Sequence, residues 1–163
     1  IGNASGNTAT AAITTGAAAK DVYLRYRGIE NWYGHFWKFV DGYKVNNNIP
    51  YLCNNFANFS DAESTDNYTN PLDVNGAAIT MHNANGFQGT LKLTGRAFMP
   101  ASLTGGSGSA KITDYYSQAA GWRVAISGGA AANAAYDGVI CLFVNKVLAH
   151  VSRDIGGRLV LRK

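Results

Sequence analysis

Charge is scarce in this chain. Of 163 residues only 15% are Asp, Glu, Lys or Arg, well below the roughly 25% of an ordinary globular domain. The net charge is +4, and the Lys and Arg are scattered rather than gathered in runs. A contiguous basic face of the kind nucleic acid requires is therefore not expected. Cysteine is scarce as well, with Cys53 and Cys141 the two present. There is no Cys-x-x-Cys and no Cys/His cluster at zinc spacing. Both cysteines lie in apolar surroundings, which favours two buried free thiols over a disulfide. No apolar run approaches the ~18 residues of a membrane span, so membrane insertion is not expected, and no signal peptide is visible. The histidines are His35, His82 and His150, but no serine sits in a Gly-x-Ser-x-Gly elbow, and Gly106-Ser-Gly-Ser109 has the wrong flanks. Catalysis is not expected.

What is present is 47% hydrophobic residues and 19 glycines, with many Asn, Ser and Thr. The length suffices for one domain with a sizeable core. Ile1 to Lys20 is Gly, Ala, Thr, Ser and Asn with almost no large apolar residue, too little to bury surface by itself. Residues 1–22 read either as a linker or as an arm that packs on neighbouring subunits or joins a fibre shaft. Residues 23–163 read as the domain. The chain begins at Ile1 rather than Met, as a piece of a longer protein would.

Ile29, Trp32, Tyr33, Phe36, Trp37 and Val40 fit helical spacing, yet Phe36 to Val45 also reads as two aromatic, β-branched runs joined by Asp41-Gly42. Asp-Gly between such runs signals a hairpin, because a type I′ turn needs positive φ at both central positions. We expect a short helix or turn at Ile29–Tyr33, then a hairpin around Asp41-Gly42. Asn46 to Pro50, Asn54 to Pro71 and Gly95 to Lys111 have loop composition. Ala78–His82, Leu91–Thr94, Trp122–Ile126 and Arg158–Arg162 alternate as half-buried strands do, and Val139–Val144 reads as a central strand. The class expected is α+β, with short twisted antiparallel strands, few helices and long ordered loops.

One loop is acidic. Asp61, Glu63, Asp66 and Asp73, with Asn67, Asn70 and Asn75, could supply the oxygen ligands of a structural calcium ion; a solvated acidic loop is the simpler reading. The Glu-Pro-Asn or Gln-Pro-Asp sugar motif of calcium-dependent lectins is absent, and no other cofactor is implied.

The last forty residues are the most informative. Trp122-Arg-Val-Ala-Ile-Ser-Gly-Gly, Val139-Ile-Cys-Leu-Phe-Val and Asp154-Ile-Gly-Gly-Arg-Leu form a strand-like frame. Between and within them stand Ala130, Ala132, Asn133, Tyr136, Phe143, Asn145, Lys146, His150, Ser152 and Asp154, which mix tiny, aromatic, amide, basic and acidic groups. A rigid frame carrying chemically arbitrary side chains is what a selectable binding face looks like. Aromatics give contact area at low rotamer cost, amides and acids add directional hydrogen bonds, and Ala130 and Ala132 would leave room for a protruding ligand. Phe143 lies in an apolar run and reads equally well as pointing inward. Gly128, Gly129, Gly156 and Arg158 read as frame, fixing turns and a buried hydrogen-bonding network.

That segment resembles the C-terminal variable region of C-type-lectin-fold proteins diversified by retroelements, which are phage receptor-binding proteins and bacterial surface proteins. The matching residues are Trp122, Arg123, Gly128, Gly129, Gly138, Ile155, Gly156, Arg158 and Leu159. Adenine-directed mutagenesis of an AAC codon reaches every residue type among the ten variable-looking positions except Lys146, and the Trp usual in that family near Ala131 is missing. Gly28-Ile-Glu-Asn-Trp-Tyr-Gly-His-Phe-Trp-Lys-Phe-Val-Asp-Gly42 also resembles the formylglycine-generating-enzyme branch of that fold, with His35 and Lys38 in place of Asn and Glu. With Gly95-Arg-Ala-Phe-Met-Pro and Thr104-Gly-Gly-Ser, the resemblance spans roughly Tyr23 to Lys163. It implies a C-type lectin-like domain at the tip of a phage tail fibre in the virion. Such a domain would be a homotrimer joined to other virion fibre proteins, binding a host cell-surface protein or glycan without catalysis. The alternatives are a bacterial surface-displayed lectin-like protein and a structural virion decoration. Enzymes of the formylglycine-generating branch need paired cysteines near this end, and here it holds Cys141 alone.

Overall fold

The computed structural model describes residues 25–26, 29–30, 33–34, 36–94, 97–107, 112, 114–130, 133 and 136–156. Eleven strands lie among them: β1 (Arg25–Tyr26), β2 (Ile29–Glu30), β3 (Trp37–Asn46), β4 (Ile49–Leu52), β5 (Gly86–Phe87), β6 (Thr90–Leu93), β7 (Phe98–Ser102), β8 (Tyr115–Gln118), β9 (Trp122–Ser127), β10 (Leu142–Lys146) and β11 (Ile155–Gly156). Seven build the main sheet in the order β11-β3-β9-β10-β8-β5, with β4 paired to the far half of β3. β11 runs parallel to β3 and β10 parallel to β8, while the other neighbours are antiparallel. β1–β2 and β6–β7 form two small antiparallel pairs.

This overturns the α+β class and the all-antiparallel, lectin-like arrangement expected from sequence. Among the described residues there is no α-helix, only short 3-10 turns such as Phe56–Asn58, and the main sheet is mixed. The helical spacing over Ile29–Val40 is spread over separate elements: Ile29 belongs to β2, Tyr33 to a bend, and Trp37 opens β3. Gly34, at φ +73°, interrupts that stretch, as glycine does in an interrupted helical pattern.

The hairpin also lies elsewhere. Asp41-Gly42 is inside β3, where the pairing with β9 slips between Phe39↔Ile126 and Lys44↔Val124. Gly42, at φ +74°, stands in this bulge. The turn is at Asn47-Asn48, with φ of +47° and +66°, because Asn tolerates the left-handed region that a two-residue hairpin loop demands. β4 and β7 form from segments read as loop, and β8 was not anticipated. β10 starts three residues later than the Val139–Val144 reading. Ala78–His82 makes no strand; it holds one bridge, Leu72↔Ala78. There the Asn70 carboxamide stands in for a neighbouring strand, accepting from Ile79 N–H and donating to Ile79 O, both at 3.1 Å. Strands near Leu91–Thr94 and Trp122–Ile126 form as read. The arm over 1–22 and the strand over Arg158–Arg162 lie outside the described residues.

Both faces of the sheet are apolar. On one, Tyr43, Val45, Leu52, Tyr116, Ala125, Leu142 and Val144 pack with Ile79, Met81 and Met99 from outside the sheet. The other carries Trp37, Val124, Ile126, Ala130 and Cys141, with Phe39, Phe143 and Ile155 half-buried against them. The β3 bulge is what lets one strand serve both, with Trp37 and Phe39 on the second face and Tyr43 and Val45 on the first.

The long acidic loop is held by a buried cation. Lys44 is 3% exposed, and its Nζ donates to Ala62 O at 2.9 Å and Ser64 O at 3.0 Å. It also lies 3.9 Å from the centre of the Tyr68 ring, a favourable cation–π position. Burial lowers the Lys44 pKa, opposed by Asp61, Asp66 and Cys53. In Lys44→Met the two carbonyls lose their donor, at a cost of about 1–3 kcal/mol each if no water replaces it. We expect a lower urea midpoint and faster proteolysis within residues 54–71; an unchanged cleavage pattern would show that the loop stands without Lys44.

Candidate functional site

The loop joining β9 to β10 carries Ala130, Ala132, Asn133 and Tyr136 of the variable-looking positions, and its described residues form no strand. It is fixed by carboxylates. Asp137 is wholly buried, and its Oδ1 accepts from Ala130 N–H at 3.1 Å. Asp114, also buried, accepts from Ile140 N–H at 2.9 Å through Oδ2. Each carboxylate rests against a glycine: a Cβ at Gly129 would collide with Asp137 Oδ1, and one at Gly138 with Asp114 Oδ1. Gln88, wholly buried, completes the anchor by donating to Ile140 O at 2.6 Å. Asp114, Asp137 and Gln88 were not singled out from sequence. The signal that could have found the first two is an Asp placed beside or across from the Gly-Gly and Asp-Gly turns.

Held this way, Tyr136 projects from the loop with 47% of its surface exposed. Its ring stacks on Phe87 at 5.9 Å and 19° and meets Tyr115 edge-on at 4.6 Å. Tyr115 lies 6.0 Å from Phe143, and Phe143 lies 4.3 Å from Trp37. An aromatic row thus crosses the second face from β5 through β8 and β10 to β3, about 20 Å at the usual strand spacing. Phe143 is half-buried within this row, packed against the core of that face.

The remaining positions divide. Lys146 pairs with Val124 where the β10–β9 register shifts after Phe143, so the bulge brings Lys146 to the second face. Asp154 accepts a hydrogen bond from the Ser152 hydroxyl. That bond holds its carboxyl below the usual range, with Lys146 and His150 pulling the same way against slight desolvation. His150 borders a cleft of about 240 Å³ with Phe39, Asp41, Asp61 and Val124. The backbone of Asp154 accepts from Trp37 N–H at 2.9 Å, so this polar group adjoins the buried end of the row. Ala130 is buried in the core at 5% exposure, with no room left beside it for a ligand. Asn145 Nδ2 donates to Ser117 Oγ at 3.1 Å, tying β10 to β8, and its Oδ1 is shielded from solvent. Asn133 is half-buried and shapes the loop: its N–H donates to Ala130 O and its carbonyl accepts from Tyr136 N–H. Ala132, His35 and Arg158 lie outside the described residues.

Other chemistry is thin. Among the described residues no three His, Cys, Asp or Glu side chains gather as a metal site, and Asp73 Oδ1 is occupied by Asn75 and Ala77 N–H. Cys53 and Cys141 are free thiols, Cys53 half-buried rather than buried as expected. Cys141 is fully buried, and burial pushes its thiol up, with Asp114 and Asp137 adding to the shift. A protonated, inaccessible thiol is a poor nucleophile.

Compared with known proteins, the chain matches no family model, no curated protein and no solved structure.

Two outcomes follow from the anchor. Burial pushes Asp137 from 3.8 up to about 6, opposed by its bond from Ala130 N–H. A folded-state pKa above the unfolded value means that its stabilisation is full below the unfolded pKa and is lost as pH rises through about 6. Asp73 and Asp154 are depressed, so their share is lost only at lower pH. Between about pH 4 and pH 7, urea midpoints of the native chain should therefore fall relative to Asp137→Asn; parallel profiles would refute an ionising Asp137. With a maleimide reagent on native protein, Cys53 should label and Cys141 should not until denaturant is added.

Proposed function

We propose that this chain is a non-catalytic recognition domain of a phage tail fibre that attaches to a host cell-surface ligand. The attaching surface is formed by side chains at the two ends of the aromatic row, Tyr136 at one and Lys146, His150, Ser152 and Asp154 at the other. The observation that carries the reading is the aromatic row: rings locked to one another across the strands, ending in a Tyr whose loop is anchored at its base. Recognition gains from contact groups that lose little freedom on binding. The polar cluster at the other end adds charge and hydrogen-bonding groups for orientation. The resemblance of Trp122–Leu159 to retroelement-diversified receptor-binding segments supports the same reading, and so does the buried state of Cys141, which offers nothing for oxidase chemistry. Assembly as a trimer on a fibre would let several weak faces engage one cell at once.

The test is attachment of fluorescently labelled protein to a panel of whole bacterial cells. Cells of at least one strain should be decorated. Tyr136→Ala combined with His150→Ala should lower attachment by about 10- to 100-fold, as loss of one or two interface anchors does. Undiminished attachment of a folded double variant would place recognition on another surface.

A further inference from the structure

The exposed end of the aromatic row has a geometry that selects among ligands. Phe87, Tyr115 and Tyr136 each touch the other two: Phe87–Tyr115 edge-on at 5.2 Å, Phe87–Tyr136 stacked, Tyr115–Tyr136 edge-on. Phe87 lies nearly parallel to the Tyr136 ring, 5.9 Å and 19° away, while 47% of Tyr136 stays exposed. The ring is fixed from below, since Tyr136 N–H donates to Asn133 O and the next residue, Asp137, is wholly buried. Gly106 lies against Phe87, where a Cβ would stand 3.2 Å from the ring, and it follows Gly105.

A protein side chain that anchors an interface needs a pocket that closes around it and excludes water. Here there is a half-exposed ring held in place by two others. The C–H face of a pyranose suits such a surface: its weakly positive hydrogens meet the negative face of the aromatic quadrupole, and its hydroxyl rim stays in water or bonds to neutral groups. Among the described residues the charged side chains at the surface of the site, Lys146, His150 and Asp154, gather at the far end of the row, while Asp114 and Asp137 near Tyr136 are buried, so the platform favours a neutral ring. We propose that Tyr136, backed by Phe87 and Tyr115, is a stacking platform for a sugar ring, and that the ligand of this face is a cell-surface glycan. The proposal rests on the recognition reading above and deepens it. Phe87 acts as a positioning residue, holding the Tyr136 ring through their contact.

The test takes cells that bind the labelled full chain and treats them either with periodate, which cleaves the vicinal diols of sugars, or with proteinase K. Attachment should be lost after periodate and kept after proteinase K. Tyr136→Leu, which keeps apolar bulk but has no ring face, should bind about five- to tenfold more weakly, while Tyr136→Trp should retain binding. Phe87→Leu should weaken attachment and alter the near-ultraviolet circular dichroism of the tyrosines, and Phe87→Tyr should restore both. Attachment that resists periodate and is abolished by proteinase K overturns the glycan and leaves recognition by this face standing, with a protein as ligand. Tyr136→Leu binding as tightly as the native chain overturns the platform. If no strain binds the native chain, the recognition reading falls and takes the platform with it.

Discussion

Two buried carboxylates set against glycine backbone are what the C-terminal half of this molecule depends on. Burying a carboxylate is costly unless its oxygens find donors, and a loop of this length between strands leaves backbone N–H groups that need acceptors. Asp137 and Asp114 each answer one need with the other, taking the N–H groups of Ala130 and Ile140, while the second Asp137 oxygen, Oδ2, is buried without a protein donor. The fit requires that nothing project from the opposing residues, which is why Gly129 and Gly138 face them. Gln88 then accounts for the carbonyl of Ile140 and its own N–H bonds to Asp114 O, so β5, β8 and the start of β10 share one polar knot. The direction in which Tyr136 points follows from that knot, because Asp137 is the next residue along the chain.

β3 has the corresponding role in the first half. It contacts β11, β9 and β4, and it changes face in mid-course at the bulge between Phe39 and Lys44. A regular ten-residue strand would keep alternate side chains on fixed faces. The bulge instead sends Trp37 and Phe39 to the core beneath the aromatic row, and Tyr43 and Val45 to the opposite core. It also brings Lys44 to the carbonyls of Ala62 and Ser64, so the acidic loop is tied down by a cation supplied from the sheet.

This explains what could and could not be read from sequence. Strands with simple alternation, Thr90–Leu93 and Trp122–Ser127, were legible because side-chain period alone defines them. The β3 region was misread because a bulge shifts the apolar period, which then imitates helical spacing, and because Asp41-Gly42 can serve a bulge as well as a turn. β4 was hidden by Pro50 and its Asn-rich surroundings, though a proline is tolerated at the edge of a sheet. Within the site, Tyr136 was legible as a large aromatic in a small-residue loop. Ala130 was not legible as an interior residue, since it is buried in a core that includes Trp37, far away in the chain, nor was the tie of Asn145 to Ser117, which no local pattern links.

The segment that looked chemically arbitrary is therefore not uniform. Ala130 is enclosed by core, Asn145 cross-links two strands, and Phe143 fills the space between Trp37 and Tyr115. Substitution at these three positions acts first on packing or on a hydrogen bond between strands, where changes are costly. Tyr136 and Asp154 are exposed, and Lys146, His150 and Ser152 are half-buried at the margin of the face, where side chains change at little cost to folding. A face can vary in what it contacts only if the residues that vary are not those that hold it flat. In this sheet Phe143 and the carboxylate knot belong to the packing, and substitution costs folding least where side chains stand exposed, at Tyr136 and Asp154.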